Sequence, residues 1–176
     1  MNHSDELWQE FTVDGQPIVG AGHPKGDFDD KRLICGTVHI WLWRVSSGVK
    51  EVLLQKRSMT KTIAPGKWDI SSAGHINLGE TTVDAALREV KEELGFRIDP
   101  KRLYFIMAEH TKFHSIRNVF LYQVEPDTKF TFFDGEVDSV KWVSIPEFRQ
   151  ILHDDEGIVG RSPAYYESLF DNLELL

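Results

Sequence analysis

Cysteine, long apolar runs and excess positive charge are all scarce in this sequence of 176 residues. Cys35 is the only cysteine, so no disulfide forms within the chain and a reducing compartment is expected. No apolar run approaches the length of a membrane span, which predicts no membrane partner. The formal net charge of −8 argues against a basic surface for binding a nucleic acid polymer.

The N-terminal residues lack the basic region and apolar core of a signal peptide, so we expect a cytoplasmic protein. Apolar residues make up 41% and charged residues 27%, proportions typical of one globular domain with a real core. We interpret residues 1–176 as a single domain with an N-terminal extension at 1–32. Gly, Pro and Asp are frequent between Asp14 and Arg32, which predicts turns and loop there.

Five segments have the β-branched and aromatic composition of strands. The first two are separated by a short turn and predict a hairpin; they are residues 33–45 and 51–57. The later three are residues 103–110, 117–124 and 137–145, and a short extended segment is expected within 68–76. Trp41 and Trp43 share one face of the first strand, where core packing is favoured over stacking on a base.

The clearest helix follows the short extended segment. Thr81 and Asp84 resemble a capping box at its start, and Gly95 is placed to end it. Its apolar residues recur at helical spacing and are Val83, Ala86, Leu87, Val90 and Leu94. Further helices are expected at 146–155 and about 162–176. Strands precede and follow the main helix, which predicts a mixed α/β (α+β) fold with a mixed sheet between helices.

Three glutamates crowd the end of this helix. Glu89, Glu92 and Glu93 fall within an arc of about 100°, beside the apolar residues. Oxygen ligands gathered in this way suit Mg²⁺ or Mn²⁺, especially when a substrate phosphate completes the coordination. A solvated acidic face has the same local pattern, so the helix alone leaves both interpretations open.

The residues around the helix fit a longer pattern. Gly74 is followed by Glu80, Arg88–Glu89, Val90, Glu92–Glu93, Gly95 and Phe96 at the spacing G-x5-E-x7-R-E-U-x-E-E-x-G-U, where U is a bulky apolar residue. Every fixed position of the Nudix box is matched across residues 74–96. The chain therefore resembles the Nudix hydrolases, and the whole of it is expected to form one Nudix domain.

The resemblance implies a reaction and a set of roles. Nudix hydrolases use divalent metal ions to hydrolyse a diphosphate linked to another group. Glu89 and Glu93 would be the main metal ligands, joined by Glu92 and the backbone carbonyl of Ala73. Glu80 and Arg88 would orient these ligands. The general base would be Glu89 or Glu92 of the box, or Glu136 from a later loop.

A second segment, residues 55–75, resembles the branch of the superfamily that contains isopentenyl diphosphate isomerase. On this resemblance Arg57, Lys61 and His75 would bind the diphosphate, with Arg57 offering a two-pronged contact. The isomerase has a cysteine where this chain has Ala73, and alanine neither donates nor accepts a proton. Cys35 stands near a position where the isomerase has a histidine.

The sequence thus favours a Nudix hydrolase with Mg²⁺ or Mn²⁺ as cofactor. The expected partner is a small-molecule diphosphate, such as a nucleoside diphosphate. Isomerase-like activity is an alternative, and so is a non-catalytic diphosphate-binding module. The amphipathic C-terminal helix leaves two interpretations open, a homodimer contact or a cap on its own domain.

Overall fold

The computed structural model describes residues 6–30, 32–112, 114–133, 135–154 and 157–176. In these ranges the strands are β1 Leu7–Phe11, β2 Pro17–Pro24, β3 Cys35–Ser46, β4 Val49–Arg57, β5 Trp68–Asp69, β6 Ser72–His75, β7 Tyr104–His110, β8 Ser115–Gln123 and β9 Val137–Ser144. The helices are α1 Thr82–Leu94, α2 Ile145–Asp154 and α3 Pro163–Leu175. Two short 3₁₀ helices span Lys25–Asp29 and Pro100–Arg102.

Strand β3 is the centre of a mixed sheet. It pairs in parallel with β8 from Cys35 to Trp43, and antiparallel with β1, β6 and β4 in turn along its length. The β3–β4 hairpin is confirmed, with Trp43 opposite Val52. Beyond β4 the sheet continues to β9, and beyond β8 to β7. The predicted mixed sheet packed between helices is therefore confirmed.

The two faces of β3 pack against different helices, as the alternation of its side chains requires. Val38, Ile40 and Leu42 are buried with the apolar side of α1. Trp41 and Trp43 are buried on the other face, in a cluster that includes residues of α2 and α3. The prediction that both tryptophans belong to the core is confirmed.

Helix α1 begins and ends where the sequence predicts. The Thr81 hydroxyl accepts a hydrogen bond from the backbone N–H of Asp84, whose carboxylate accepts one from the N–H of Thr81. Ala86, Val90 and Leu94 are buried on its apolar side. Gly95 ends the helix in the left-handed conformation with φ 63°.

The loop prediction for Asp14–Arg32 was wrong, because the structure has β2 and a 3₁₀ helix there. Strand β1 was not predicted either. It is held by long-range backbone bonds, from Gln9 N–H to the Ile76 carbonyl at 2.9 Å and from Phe11 N–H to the Ile34 carbonyl at 2.8 Å. Strand β2 pairs with β1, and an edge position tolerates its Pro and Gly residues.

The predicted C-terminal helix is confirmed as α3, which covers its own domain. Tyr165, Leu169 and Leu173 are buried in the cluster around Trp41. A homodimer through this helix stays a prediction. None of the helices in the described residues combines the length and the apolar character needed to cross a membrane.

A buried polar chain links α3 to β3. Trp41 Nε1–H donates to the Tyr165 hydroxyl at 2.8 Å, and the same hydroxyl lies 3.0 Å from Nδ1 of His39. Burial lowers the pKa of His39 well below its ordinary value, and the positive charges of Arg161 and Arg117 add to the effect. His39 is therefore neutral in the folded protein.

We expect Gly95→Ala at the end of α1 to cause a large loss of folding stability. A Cβ there would lie 2.6 Å from the Thr131 carbonyl oxygen, in addition to the cost of the left-handed backbone. Gly48→Ala is the matched control, because Gly48 has φ 78° but a Cβ would meet nothing within 4 Å. By urea unfolding we expect Gly48→Ala to lose about 1 kcal/mol and Gly95→Ala to lose clearly more, about 2 kcal/mol or above. Equal losses would contradict the steric part of this explanation.

The neutral His39 predicts a stability that falls with acid. Below pH about 6.5 this histidine is protonated in the unfolded chain but stays neutral in the folded chain. The free energy of unfolding therefore falls with decreasing pH, by up to about 1.4 kcal/mol per pH unit. In urea unfolding between pH 7.5 and 5, His39→Gln should be less stable at neutral pH but should lose less stability on acidification than the native chain. Parallel pH profiles for the two proteins would contradict the depressed pKa of His39.

Candidate functional site

A cavity of about 460 Å³ opens where the Nudix-box pattern meets the sheet. Gly74, Arg88, Glu89 and Glu92 of the box line it. So do Arg57, Lys61 and His75, which were predicted to bind the substrate, Glu136, a predicted candidate for the base, and Ala73, whose carbonyl was predicted to bind the metal. The structure therefore brings the residues of the two sequence segments and the later loop around one space.

Glu89 lies directly against strand β6. A Cβ built on Gly74 would collide with the carboxylate of Glu89, so only glycine leaves room for this side chain at the strand. The first residue of the box thus has a packing role. It lets a helix carboxylate reach the backbone next to Ala73.

Arg88 ties the acidic residues together. Its guanidinium donates to Glu89 Oε1 at 2.6 Å, to Glu92 Oε2 at 3.3 Å and to both carboxylate oxygens of Glu80 at 2.7 and 2.9 Å. It also donates to the backbone carbonyl of His75 at 2.7 Å, while Glu80 accepts from the N–H of Asn77 at 2.9 Å. These bonds fix α1 to the segment after β6, which is the geometry expected of orienting residues.

Glu93 lies behind the cavity wall and is only 3% exposed. Its Oε2 accepts a hydrogen bond from the backbone N–H of Ala73 at 3.1 Å. Burial raises the pKa of Glu93 well above its ordinary value, and the nearby Glu89 raises it further. Burial also raises the pKa of Glu89 to about 7, although the charge of Arg88 opposes the rise.

The donor set suits a divalent cation. Glu93 is buried, and Glu89 is largely buried with 12% of its side chain exposed. The negative charge of Glu89 raises the pKa of Glu93, so a cation beside the two carboxylates would relieve the cost of ionising both. Arg88 contacts Glu89 through Oε1, at one side of the carboxylate. Within the described ranges, however, no three Asp, Glu, His or Cys side chains are already arranged as a metal site. Metal ligation by Glu89, Glu92, Glu93 and the Ala73 carbonyl stays a prediction.

The basic side of the cavity comes from the end of β4 and the loop after it. Lys61 forms an ion pair with Glu136, and the Glu136 charge also contributes to the raised pKa of Glu89. Arg57 donates to the Ile63 carbonyl at 3.0 Å and to Asp69 Oδ2 at 3.3 Å. Both cations therefore face the same space as the box carboxylates.

His75 is held by an aromatic contact that the sequence did not reveal. Its ring stacks on Trp8 of β1 with 3.4 Å between centroids and 4° between planes. Burial lowers the pKa of His75 to about 3, with help from the positive charges of Lys25 and Arg88. Neutral His75 therefore offers the cavity a hydrogen-bonding group rather than a charge.

Sequence reasoning missed several residues that line the cavity. Trp8 and Lys25 come from the region interpreted as an extension, and Asp69, Arg161 and His39 come from elsewhere in the sheet and the loop before α3. Asp69 and Arg161 form an ion pair at 2.6 Å across 92 positions of the chain. No local pattern marks either residue, because only the fold brings them together.

Two positions bear on the isomerase alternative. The cavity wall has the methyl group of Ala73 at the place where the isomerase has its cysteine. Cys35 is the first residue of β3 and is buried, and burial raises the pKa of its thiol to about 11. Cys35 is therefore neutral, and it is not among the residues that line the cavity.

Comparison with known proteins matches residues 37–161 to the model of the NUDIX domain. Nudix hydrolase 3 of Arabidopsis thaliana is 31% identical over 96% of this chain, and isopentenyl-diphosphate Delta-isomerase 2 of Photorhabdus laumondii is 30% identical over 85%. The chain covers 83% of the isomerase but only 23% of the Arabidopsis protein, and about half the length of two bacterial Nudix hydrolases.

The fold has a counterpart among solved structures. A crystal structure of a protein from Deinococcus radiodurans has a TM-score of 0.72 with 21% identity, and the match covers 88% of this chain and 93% of that one. At this identity the similarity shows the fold alone. Together with the matched domain model and the relatives of about 30% identity, it confirms the resemblance stated from the box: the chain belongs to the Nudix family.

Proposed function

We propose that the protein hydrolyses a diphosphate linkage in a nucleoside diphosphate or another small diphosphate derivative, with Mg²⁺ or Mn²⁺ as cofactor. One observation carries the proposal: the carboxylates of Glu89 and Glu92 on α1 line the same cavity as the cations Arg57 and Lys61. The buried carboxylate of Glu93 lies behind the wall of this cavity. Carboxylates bind divalent cations, and Arg and Lys bind phosphate oxygens. The arrangement therefore suits a metal-bound diphosphate.

The residues at the cavity have separate roles in binding the substrate, positioning the glutamates and accepting a proton. Arg57 and Lys61 bind phosphate oxygens, and neutral His75 adds a hydrogen bond. Arg88 and Glu80 hold Glu89 and Glu92 in position. Water adds to a phosphorus atom while the P–O–P bond breaks, giving two phosphate products, and a carboxylate takes the proton of the water. Glu89, Glu92 and Glu136 all line the cavity and are the candidates for this base.

A bound divalent cation would neutralise the diphosphate and make the attacking water easier to deprotonate. Glu89 and Glu93 would hold it, with Glu92 and the Ala73 carbonyl as further ligands. The close approach of Glu89 to the backbone at Gly74 supports this set, since it places a carboxylate beside the residue whose carbonyl is predicted to join.

The isomerase relative makes allylic proton transfer the second candidate. That reaction needs a group on the protein that exchanges a proton with carbon, and the methyl of Ala73 cannot do so. The complete set of box glutamates favours hydrolysis over both isomerisation and simple binding. The activity of the much longer Arabidopsis relative is not transferred to this chain by similarity.

The experiment follows cleavage of a panel of diphosphates by phosphorus NMR, which detects both inorganic phosphate and monophosphate esters as products. The panel includes nucleoside diphosphates, nucleotide sugars, dinucleotides and isopentenyl diphosphate, each with Mg²⁺, with Mn²⁺ and with chelator. We expect one class to be cleaved and the chelator to abolish cleavage. Cleavage that survives the chelator would contradict metal dependence. No cleavage of any compound would contradict the hydrolase proposal.

Glu93→Gln should abolish most turnover without changing side-chain volume. We expect a loss of about 100-fold or more in kcat, because a charged ligand of the cation is removed. Glu167→Gln is the matched control, since Glu167 is exposed on α3 away from the cavity. Thermal unfolding of both variants checks that the fold is retained. Turnover close to the native value in Glu93→Gln would refute the role of Glu93.

Ala73→Cys tests the isomerase alternative. If the chain has the isomerase scaffold without its proton-transfer group, the native protein should leave the double bond of isopentenyl diphosphate in place. The variant is expected to gain detectable migration of that bond, followed by proton NMR. Migration by the native protein would contradict the argument from Ala73.

A further inference from the structure

Part of the cavity lining combines Arg57 with three side chains that have no role in the proposed reaction, His39, Asp69 and Arg161. Asp69 Oδ1 accepts from Nη2 of Arg161 at 2.6 Å and from the backbone N–H of Ile70 at 2.8 Å, while Oδ2 accepts from Nη1 of Arg57 at 3.3 Å. The side chains of Asp69 and Arg161 are 5% and 7% exposed. A buried carboxylate thus holds two guanidinium groups beside the same space.

Arg161 has donors to spare. Its Nη1 donates to the Val159 carbonyl at 2.5 Å and Nη2 to Asp69, whereas Nε is buried without a hydrogen-bond partner in the described part of the chain. A guanidinium carries five N–H donors and no acceptor. Because Arg161 lines the cavity, an anion bound there would accept from guanidinium N–H groups that the protein leaves unused.

His39 adds an N–H donor. The indole N–H of Trp41 donates to the Tyr165 hydroxyl at 2.8 Å, and the same hydroxyl lies 3.0 Å from Nδ1 of His39. When the hydroxyl gives its own proton to Nδ1, the ring proton of His39 is on Nε2. Because His39 lines the cavity and is only 7% exposed, Nε2–H is the donor it has left to offer there.

These groups form what we call the deep subsite: His39, Arg57, Asp69 and Arg161. The oxygens of Asp69 are engaged by protein donors, so the subsite presents N–H groups and carries one net positive charge. Three of its four residues have side chains that are almost fully buried, so little of the subsite is exposed to solvent. N–H donors and a net positive charge at one place suit a small, highly charged anion such as a terminal phosphate.

We propose that the deep subsite binds the terminal phosphate of the substrate, and that the protein accordingly acts on diphosphate monoesters, which end in a free phosphate. This inference rests on the proposed hydrolysis and narrows its substrate class. A terminal phosphate carries close to two negative charges near neutral pH, whereas each phosphate inside a dinucleotide or nucleotide sugar carries one. The products are a monophosphate ester and inorganic phosphate.

Two measurements on the full chain test the subsite. Calorimetry with inorganic phosphate, in the presence of chelator, measures anion binding without hydrolysis. The ratio of kcat/KM for a nucleoside diphosphate to that for a dinucleoside diphosphate, with Mg²⁺, measures substrate choice. We expect Arg161→Gln to weaken phosphate binding by about tenfold or more and to lower this ratio.

Arg117→Gln is the matched control. Arg117 lies beside the same Tyr165 ring as Arg161 and is paired with Glu109, but it does not line the cavity. It should keep both values of the native chain. If Arg161→Gln fails to fold because Asp69 loses its partner, the double variant Asp69→Asn with Arg161→Gln removes both charges and should show the same loss of phosphate binding.

The outcomes separate the two proposals. Two results would overturn the deep subsite and leave the proposed hydrolysis intact. One is native-like phosphate binding in folded Arg161 variants, and the other is a native chain that cleaves the dinucleoside diphosphate in preference to the nucleoside diphosphate. Phosphate binding that depends on Arg161 in a chain that hydrolyses no compound would support the subsite and overturn the proposed function. An equal loss in Arg117→Gln would show a general charge effect and would also overturn the subsite.

Discussion

The rest of the site depends on two neighbouring carboxylates, the buried Glu93 and the largely buried Glu89. Burying like charges is costly unless a proton, a cation or hydrogen bonds compensate them. The protein supplies part of the compensation itself, through Arg88 on Glu89 and the Ala73 N–H on Glu93. The part of this cost that the protein's own donors leave uncompensated is the basis for proposing a divalent cation beside Glu89 and Glu93. Gly74, which leaves space for Glu89 at the strand, follows from the same requirement.

The strand pairing of the sheet places basic side chains near these two glutamates, around one cavity. Strand β3 pairs with β6, which has α1 and its glutamates beside it, and with β4, whose end and following loop provide Arg57 and Lys61. On the face of β3 that meets α3, hydrogen bonds among Trp41, Tyr165 and His39 fix the imidazole of His39, which lines the same cavity. The acidic residues of α1 and the basic residues after β4 thus meet at one cavity because of the way β3 pairs with its neighbouring strands and packs against the helices.

The parts of this structure that sequence predicts are those with local causes. The cap at Thr81 and Asp84, the glycine after Leu94 and the alternation through Trp41 and Trp43 depend on neighbours in the chain, and each is confirmed. Strand β2 has a composition typical of turns and becomes a strand only because β1 pairs with it. Arg161 and Asp69 meet across 92 positions, so neither could be recognised from its neighbours. The Nudix box identifies the family from sequence alone, whereas the residues of the deep subsite can be recognised only from the folded structure.

The most direct test of the central claim is the position of a bound cation. A crystal grown with Mn²⁺ and measured at an energy where manganese scatters anomalously gives that position independently of activity. We expect an anomalous peak between the carboxylates of Glu89 and Glu93, next to Ala73. A metal-dependent enzyme whose crystals show the peak elsewhere, or show none at these glutamates, would contradict the central claim.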